Sequence, residues 1–219
     1  MEGRMKNIVC FGDSNTHGYR ASDFGRFPKS QRWTGILSEA LGDSYHIIEE
    51  GLNGRTTSFD DPLQECRAGV NYITPCLLSH KPIALLIIML GTNDTKERFC
   101  ASSEVIALGL KRLVQKSKAT ECWEDGNPNI LIVVPKNIEK EYENTFALAT
   151  MGRGCAEKSE GLQKEYKTIA KLLDCHWMDA NDFVTANDMT DYIHLSEQGH
   201  RELAGAMENK IKEIFDGRK

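Results

Sequence analysis

Residues 7–19 read NIVCFGDSNTHGY. The stretch 7–11 is short, apolar and rich in branched side chains, the composition of a strand buried on both faces. It runs directly into Gly12, Asp13 and Ser14, followed by Asn15, Thr16, His17 and Gly18. A strand that stops abruptly in small and polar residues aims something at a ligand. That something is either a nucleophile or a row of backbone amides for a phosphate, and the rest of the chain decides which.

Four more stretches share the same character: 45–49, 84–90, 130–134 and, more weakly, 175–179. Between them lie segments with helical spacing at about 33–41, 103–118 and 157–173. A last helix after Leu195 places Leu203, Met207, Ile211 and Phe215 four apart on one apolar stripe. Ser196 suits its N-cap, with Glu197 in the first turn. Alternating strands and helices require crossover connections, and hence a parallel sheet covered on both faces. The expected fold is a three-layer α/β/α sandwich on a five-stranded parallel sheet in the flavodoxin-like order. At 219 residues the chain fits one domain spanning 1–219, with neither repeat nor linker. Such a length buries roughly 70–75% of the unfolded surface.

The bulk numbers narrow the function. With 40% hydrophobic and 27% charged residues the composition is that of a soluble globular protein. A net charge of −5 and a pI near 5.7 argue against nucleic acid, which needs a basic face. Lys111, Arg112, Lys116 and Lys118 read as the wet side of a helix. The start MEGRMK lacks an apolar signal core, and the longest apolar run, 83–90, is too short to span a bilayer. The reading is therefore of no membrane partner. The seven cysteines form neither a CxxC pair nor a finger-like spacing with histidine, which fits a reducing cytoplasm and argues against a structural zinc. Neither metal nor cofactor is called for.

Ligands in open α/β sheets bind outside the carboxyl ends of the strands. Four loops fall there: GDSNTHG, then GLNGRTT with Gly54, then GTNDTKERF with Asn93, and finally DYIHLSEQGH with Asp191 and His194. Singly each has a bland reading, such as a helix-capping serine, an Asn-Gly turn or a satisfied core histidine. Together they bring a hydroxyl, an imidazole, a carboxylate, a side-chain amide and a glycine amide to one edge. Those are the parts for acyl transfer.

GDSNT, the Gly54 loop, GTND and DxxH resemble, in order, the four blocks of the SGNH (GDSL-type) esterases and acyltransferases. RWTGIL at 32–37, IEEGLNGRTTSFDDP at 48–62 and LIIMLGTNDTK at 86–96 look like the bacterial arylesterase/acyltransferase branch. The resemblance runs from about residue 8 to 99, returns at the DxxH block and is thin from 135 to 161. It implies Ser14 as nucleophile, His194 as its general base and Asp191 as the group orienting His194. It also implies an oxyanion hole from the backbone N–H groups of Ser14 and Gly54 with the Asn93 side chain. Small carboxylic esters with acyl groups such as acetyl, transfer to alcohols and a homo-oligomer are further implications. The apolar stripes fit a monomer equally well.

Two departures stand out: Asn15 where many members carry Leu, and KNIEKEYENTFALATMGRG, 136–154, in place of a proline-rich run. The resemblance implies that this second region helps shape the acyl and alcohol pocket, so substrate preference is not carried over. An ordinary imidazole, with a pKa of about 6.5, is mostly neutral at neutral pH and so able to take a serine proton. Asp13 and Asp94 read as loop-holding carboxylates, and Trp33 and Phe59 as packing residues or as lining of the site entrance. Three alternatives stay open. A flavodoxin-like protein would cradle a flavin phosphate in SNTHG, leave Asn93, Asp191 and His194 idle, and purify yellow. A catalytically idle SGNH-fold binding module is the second. A two-metal hydrolase on Asp13, Asp94, Asp191 and His194 is the third.

Overall fold

The computed structural model describes residues 5–217. Alternation along the opening strand builds the whole architecture. In β1 (Lys6–Gly12), Val9 and Phe11 enter one hydrophobic core while Ile8 and Cys10 enter another on the opposite face. The chain continues through α1 (Ser14–His17), a small hairpin of β2 (Tyr19–Arg20) and β3 (Gly25–Arg26), α2 (Trp33–Leu41) and β4 (Tyr45–Gly51). It then runs through α3 (Gly69–Ser79), β5 (Leu85–Met89), α4 (Ser103–Lys118), β6 (Ile130–Val134), α5 (Leu148–Met151), α6 (Cys155–Leu172), β7 (His176–Asp179) and α7 (Glu197–Asp216).

Five of these strands form one parallel sheet in the order β4-β1-β5-β6-β7, the expected flavodoxin-like order. Helices α3, α4 and α6 cover one face through residues such as Ile73, Leu110 and Tyr166. Helices α2 and α7 cover the other, through Trp33 and Leu37 and through Leu203, Met207 and Ile211. The α/β/α sandwich therefore stands. Each fully buried Leu, Ile or Phe in these layers contributes about 1.5–3 kcal/mol of transfer free energy. Ser196 caps α7 as expected, its side chain accepting from Gly199 N.

Several sequence expectations need adjusting. Helix α3 was not anticipated. It begins after Ala68, which offers no side-chain cap, and it carries Pro75, so the usual start and continuation signals are missing. The basic cluster on α4 is only partly solvated: half-buried Lys116 donates to Val70 O at 2.8 Å, and Lys118 donates to Leu173 O, so both amines cap carbonyls of neighbouring segments. Trp33 is fully buried, and Phe59 stacks on Phe99 with centroids 5.3 Å apart. Both are packing residues, and neither lines the cavity described below. Of the seven thiols, all free, Cys10, Cys76, Cys122 and Cys155 are buried as small core residues.

Two strand ends prepare the site. Gly12 and Gly51 pair in register at the carboxyl edge. A Cβ on Gly51 would sit 2.2 Å from His17 N, so only glycine lets β4 pass this close to the turn after β1.

Candidate active site

The turn after β1 is built from its own side chains. Asp13 caps α1, accepting from Asn15 N at 3.0 Å, and the helix ends after one turn at Gly18 in the left-handed conformation. Ser14 therefore leads that turn, 8% exposed, with its hydroxyl at the sheet edge. On the far side of the chain, Asp191 Oδ1 accepts from Ile193 N and His194 N, both at 3.0 Å. This local fold turns its second oxygen toward the imidazole. His194 Nδ1 lies 2.5 Å from Asp191 Oδ2, and His194 Nε2 lies 2.8 Å from Ser14 Oγ. The serine hydroxyl, the imidazole and the carboxylate form one continuous hydrogen-bonded chain.

Burial pushes the Asp191 carboxyl upward, but the hydrogen bond to His194, the His194 charge and two backbone N–H donors outweigh it. The group stays below the ordinary aspartate range and ionised. With Asp191 accepting at Nδ1, the neutral imidazole leaves Nε2 free to accept from Ser14. The Tyr19 ring lies tilted against His194 with centroids 4.5 Å apart.

Three polar clamps hold the four loops to one another. Asn15 Oδ1 accepts from Leu195 N at 2.9 Å, joining the serine turn to the histidine loop, while Trp33 Nε1 donates to Asn15 O at 3.1 Å. Arg55, 3% exposed, donates to Gly12 O at 2.9 Å and to Glu50 O, which ties the Gly54 loop to the ends of β1 and β4. Its guanidinium also lies 4.1 Å from the Phe11 ring centroid. Thr57 donates through N and Oγ1 to Asp94, joining the Gly54 loop to the Asn93 loop. Asp13 and Asp94 thus serve loop geometry, as read from the sequence. Burial raises Asp13 to about 6, against the pull of Asn15 N, His194 and Arg55. Burial likewise raises Asp94 to about 7, against Thr57, with neighbouring Asp13 adding to the rise.

Ser14, Gly54, Asn93, Asp191 and His194 all line one cavity of about 220 Å³. Gly54 sits at φ +82°, where only glycine is unstrained. Asn93 heads a single 3₁₀ turn, Asn93–Thr95, with 8% of its surface exposed. The remaining wall includes Phe146, Ala147, Met151 and Ile193 on the apolar side and Gln64, Arg67 and Lys96 on the polar side. The segment 136–156 supplies much of the apolar side. It is held by a small separate core of Ile138, Tyr142, Ala147, Met151, Cys155 and Ala156 with Ile193.

The sequence reading missed Tyr19, Gln64 and Arg67 as cavity residues and gave Asn15 no task beyond standing beside the serine, whereas Phe146 and Met151 lie in the stretch 136–154 expected to shape the pocket. No periodicity marks these positions, because Gln64, Arg67 and Phe146 lie in irregular backbone while Asn15, Tyr19 and Met151 lie in elements too short to show one. Asp13, Asp94, Asp191 and His194 do not converge as a ligand set. Among the described residues, the one cluster with all ligand atoms within 4.8 Å is Glu50, Cys76 and His80, at the other end of Arg55's reach.

Solved structures resemble the chain over nearly its full length. The aryl esterase of M. smegmatis is 33% identical with a TM-score of 0.85, covering 95% of this chain and 99% of that one. Est24, a carbohydrate acetylesterase from Sinorhizobium meliloti, is 36% identical with a TM-score of 0.85 at the same coverage of 95% and 99%. A carbohydrate acetylesterase family member from Sinorhizobium meliloti is 34% identical with a TM-score of 0.87, covering 96% and 99%. The uncharacterized lipoprotein YqeF of Bacillus subtilis is 38% identical over 94 residues, which are 42% of this chain and only 34% of that protein. Among the described residues no helix is long and apolar enough to cross a membrane. The family model for GDSL-like lipases/acylhydrolases matches residues 10–202, and the chain belongs to that family of ester hydrolases.

Proposed function

We propose that the protein is a serine esterase that cleaves small carboxylic esters through an acyl-enzyme. The observation that carries this reading is the chain of contacts from Ser14 Oγ to His194 Nε2 at 2.8 Å and from His194 Nδ1 to Asp191 Oδ2 at 2.5 Å. His194 takes the Ser14 proton as Oγ attacks the ester carbonyl, and Asp191 stabilises the imidazolium that forms. The carbonyl oxygen becomes an oxyanion. Its partners are the backbone N–H groups of Ser14 and Gly54 and the side-chain amide of Asn93, each such donor being worth roughly 3–4 kcal/mol. The imidazolium then protonates the departing alkoxide, leaving the acyl group on Ser14. Water, deprotonated by His194, attacks the acyl-enzyme, and the imidazolium returns the proton to Ser14 Oγ as the acid leaves.

The cavity volume of about 220 Å³ favours an acetyl-sized acyl group with a modest alcohol. Cavities near 150 Å³ hold a benzene ring. The names of the M. smegmatis and Sinorhizobium meliloti proteins lean the same way. The apolar wall of Phe146, Ala147, Met151 and Ile193 also gives an acceptor alcohol a surface on which to compete with water, so transfer to alcohols is a second outlet of the same acyl-enzyme. A flavin-phosphate site would leave the His194–Asp191 pair idle, and membership in a hydrolase family supports the esterase over it. The free thiols favour a cytoplasmic setting.

The test is hydrolysis of 4-nitrophenyl acetate by the wild type and by Ser14→Ala, with circular dichroism to confirm folding. The expected result is a loss on the order of 10³-fold or more in kcat. Activity retained within about tenfold would place the nucleophile elsewhere.

A further inference from the structure

Two cavity residues have no task in the reaction above. Gln64 Oε1 and Arg67 Nε line the same cavity as Ser14, both atoms are shielded from solvent, and neither has a hydrogen-bond partner among the described residues. Both stand against the Gly54 loop. A Cβ built on Gly54 would lie 2.5 Å from Gln64 Oε1 and 3.3 Å from Arg67 Nε. The guanidinium therefore sits beside the glycine whose amide is assigned to the carbonyl oxygen, in the cavity that Ser14 also lines.

The charges around the cavity single out Arg67. Three charged residues line it: Arg67, Lys96 and Asp191. Lys96 is matched by Asp61, with Nζ to Oδ2 at 3.2 Å, and Arg98 reaches the same carboxylate at 3.4 Å. Asp191 faces His194. Arg67 makes no ion pair with any described residue, although the chain as a whole carries a charge of −5. Arg67 is half-buried with only Nε shielded, and the planar fork of a guanidinium without a counter-charge matches a carboxylate better than it matches any neutral group. The local positive field would also concentrate anions at the mouth of an otherwise acidic protein.

Resting on the esterase reading, we propose that Arg67 selects esters that carry a carboxylate a few atoms from the scissile bond. The carboxylate can belong to the acyl part or to the alcohol part, and the probes below separate the two sources. Arg67 acts on the preference among esters, not on the bond-breaking step.

The experiment measures kcat/KM at low ionic strength for two matched pairs of esters, with uncatalysed rates subtracted. The acyl-side pair is the 4-nitrophenyl ester of free glutaric acid and that of its monomethyl ester. The alcohol-side pair is 3-acetoxybenzoate and 3-acetoxybenzamide, followed by acetate release. The wild type is expected to favour the anionic member of at least one pair by about tenfold or more, the lower end of what a hydrogen bond to a charged group contributes. Added salt should shrink that ratio, Arg67→Gln should abolish it and Arg67→Lys should restore part of it. The pair that shows the preference identifies the source of the carboxylate. A wild-type ratio at or below one in both pairs overturns the proposal. So does Arg67→Gln lowering both members of each pair equally, which would make Arg67 a mere support for Gly54. If Arg67→Gln does not fold, the wild-type ratios and their salt dependence decide. Failure to cleave even the neutral members would instead sink the esterase reading itself.

Discussion

The turn after β1 and the segment 136–156 leave the same edge of one sheet, yet they are held in different ways. The turn is fixed by directional bonds that reach across the chain: Asn15 Oδ1 to Leu195 N, Trp33 Nε1 to Asn15 O and Arg55 to Gly12 O. The segment makes hydrogen bonds too, such as Ile138 N to Ser159 Oγ, but it adds what the turn lacks, a small apolar core of its own: Ile138, Tyr142, Ala147, Met151, Cys155 and Ala156 packed with Ile193. Proton transfer between Ser14 and His194 tolerates little displacement, and hydrogen bonds set both distance and angle. A cavity wall needs only shape, which apolar packing supplies while accepting substitutions of similar volume. One region is built for chemistry, the other for fit.

The largest effect that would break this division comes from the donor side of the site. Asn93→Ala should lower kcat on 4-nitrophenyl acetate by about 10²–10³ while thermal unfolding stays near that of the wild type. A loss below about tenfold would remove Asn93 from the oxyanion hole.

A matched pair of variants then sharpens the comparison, because each removes one buried hydrogen-bonding group, one per region. Asn15→Leu strips Leu195 N of its acceptor. Tyr142→Phe leaves Gly152 O without the phenol proton it receives at 2.7 Å and Cys155 N without its acceptor at 3.1 Å. Either loss costs about 1–3 kcal/mol of stability. The functional readouts should diverge: Asn15→Leu lowers kcat about tenfold, with Asn15→Asp restoring part of it by keeping the acceptor, whereas Tyr142→Phe moves KM more than kcat. Equal shifts in kcat for both would dissolve the distinction.

The smallest effect lies behind the serine turn. His200 is fully buried, accepts from Trp33 N at 3.3 Å and meets the Phe27 ring edge-on. Burial, followed by the charges of His194 and Arg32, pushes its pKa down to about 3. An unfolded histidine takes up a proton below about pH 6.5, so between 6.5 and 3 the unfolded state binds more protons and stability falls as pH falls. Asp13, at about 6, and Asp94, at about 7, work in the opposite direction, since the folded state holds their protons more tightly than the unfolded one. Comparing denaturant curves of the wild type with His200→Gln isolates the histidine. From pH 7 to 6 the wild type should lose somewhat less than about 1 kcal/mol more than the variant, and the gap should widen below that. Parallel curves would mean that His200 titrates in the folded protein as well.

The sheet was legible because its central strands are buried on both faces, and runs such as LLIIM and ILIVV admit few other roles. The parallel sheet followed from the alternation with helices, the candidate loops from the ends of its strands, and the roles of Ser14, Gly54, Asn93, Asp191 and His194 from the resemblance to the SGNH blocks. What was hidden depended on long-range or irregular contacts. Asn15 looks like a departure beside the serine until Leu195 is seen to donate to it across 180 residues. Arg67 and Gln64 lie in an irregular stretch before an uncapped helix, and their nearness to Gly54 is set by the fold alone. The small core from Ile138 to Ala156 has no period to read, because it is assembled from one 3₁₀ helix, one four-residue helix and the first turn of α6.

The account stands on Ser14 being the atom that attacks. Incubation with an active-site fluorophosphonate, digestion and mass spectrometry of the labelled peptide test that directly. The modification is expected on Ser14, with one label per chain, and labelling should slow sharply in His194→Ala. A label that appears on another residue, or a rate on Ser14 unchanged by loss of His194, would contradict it.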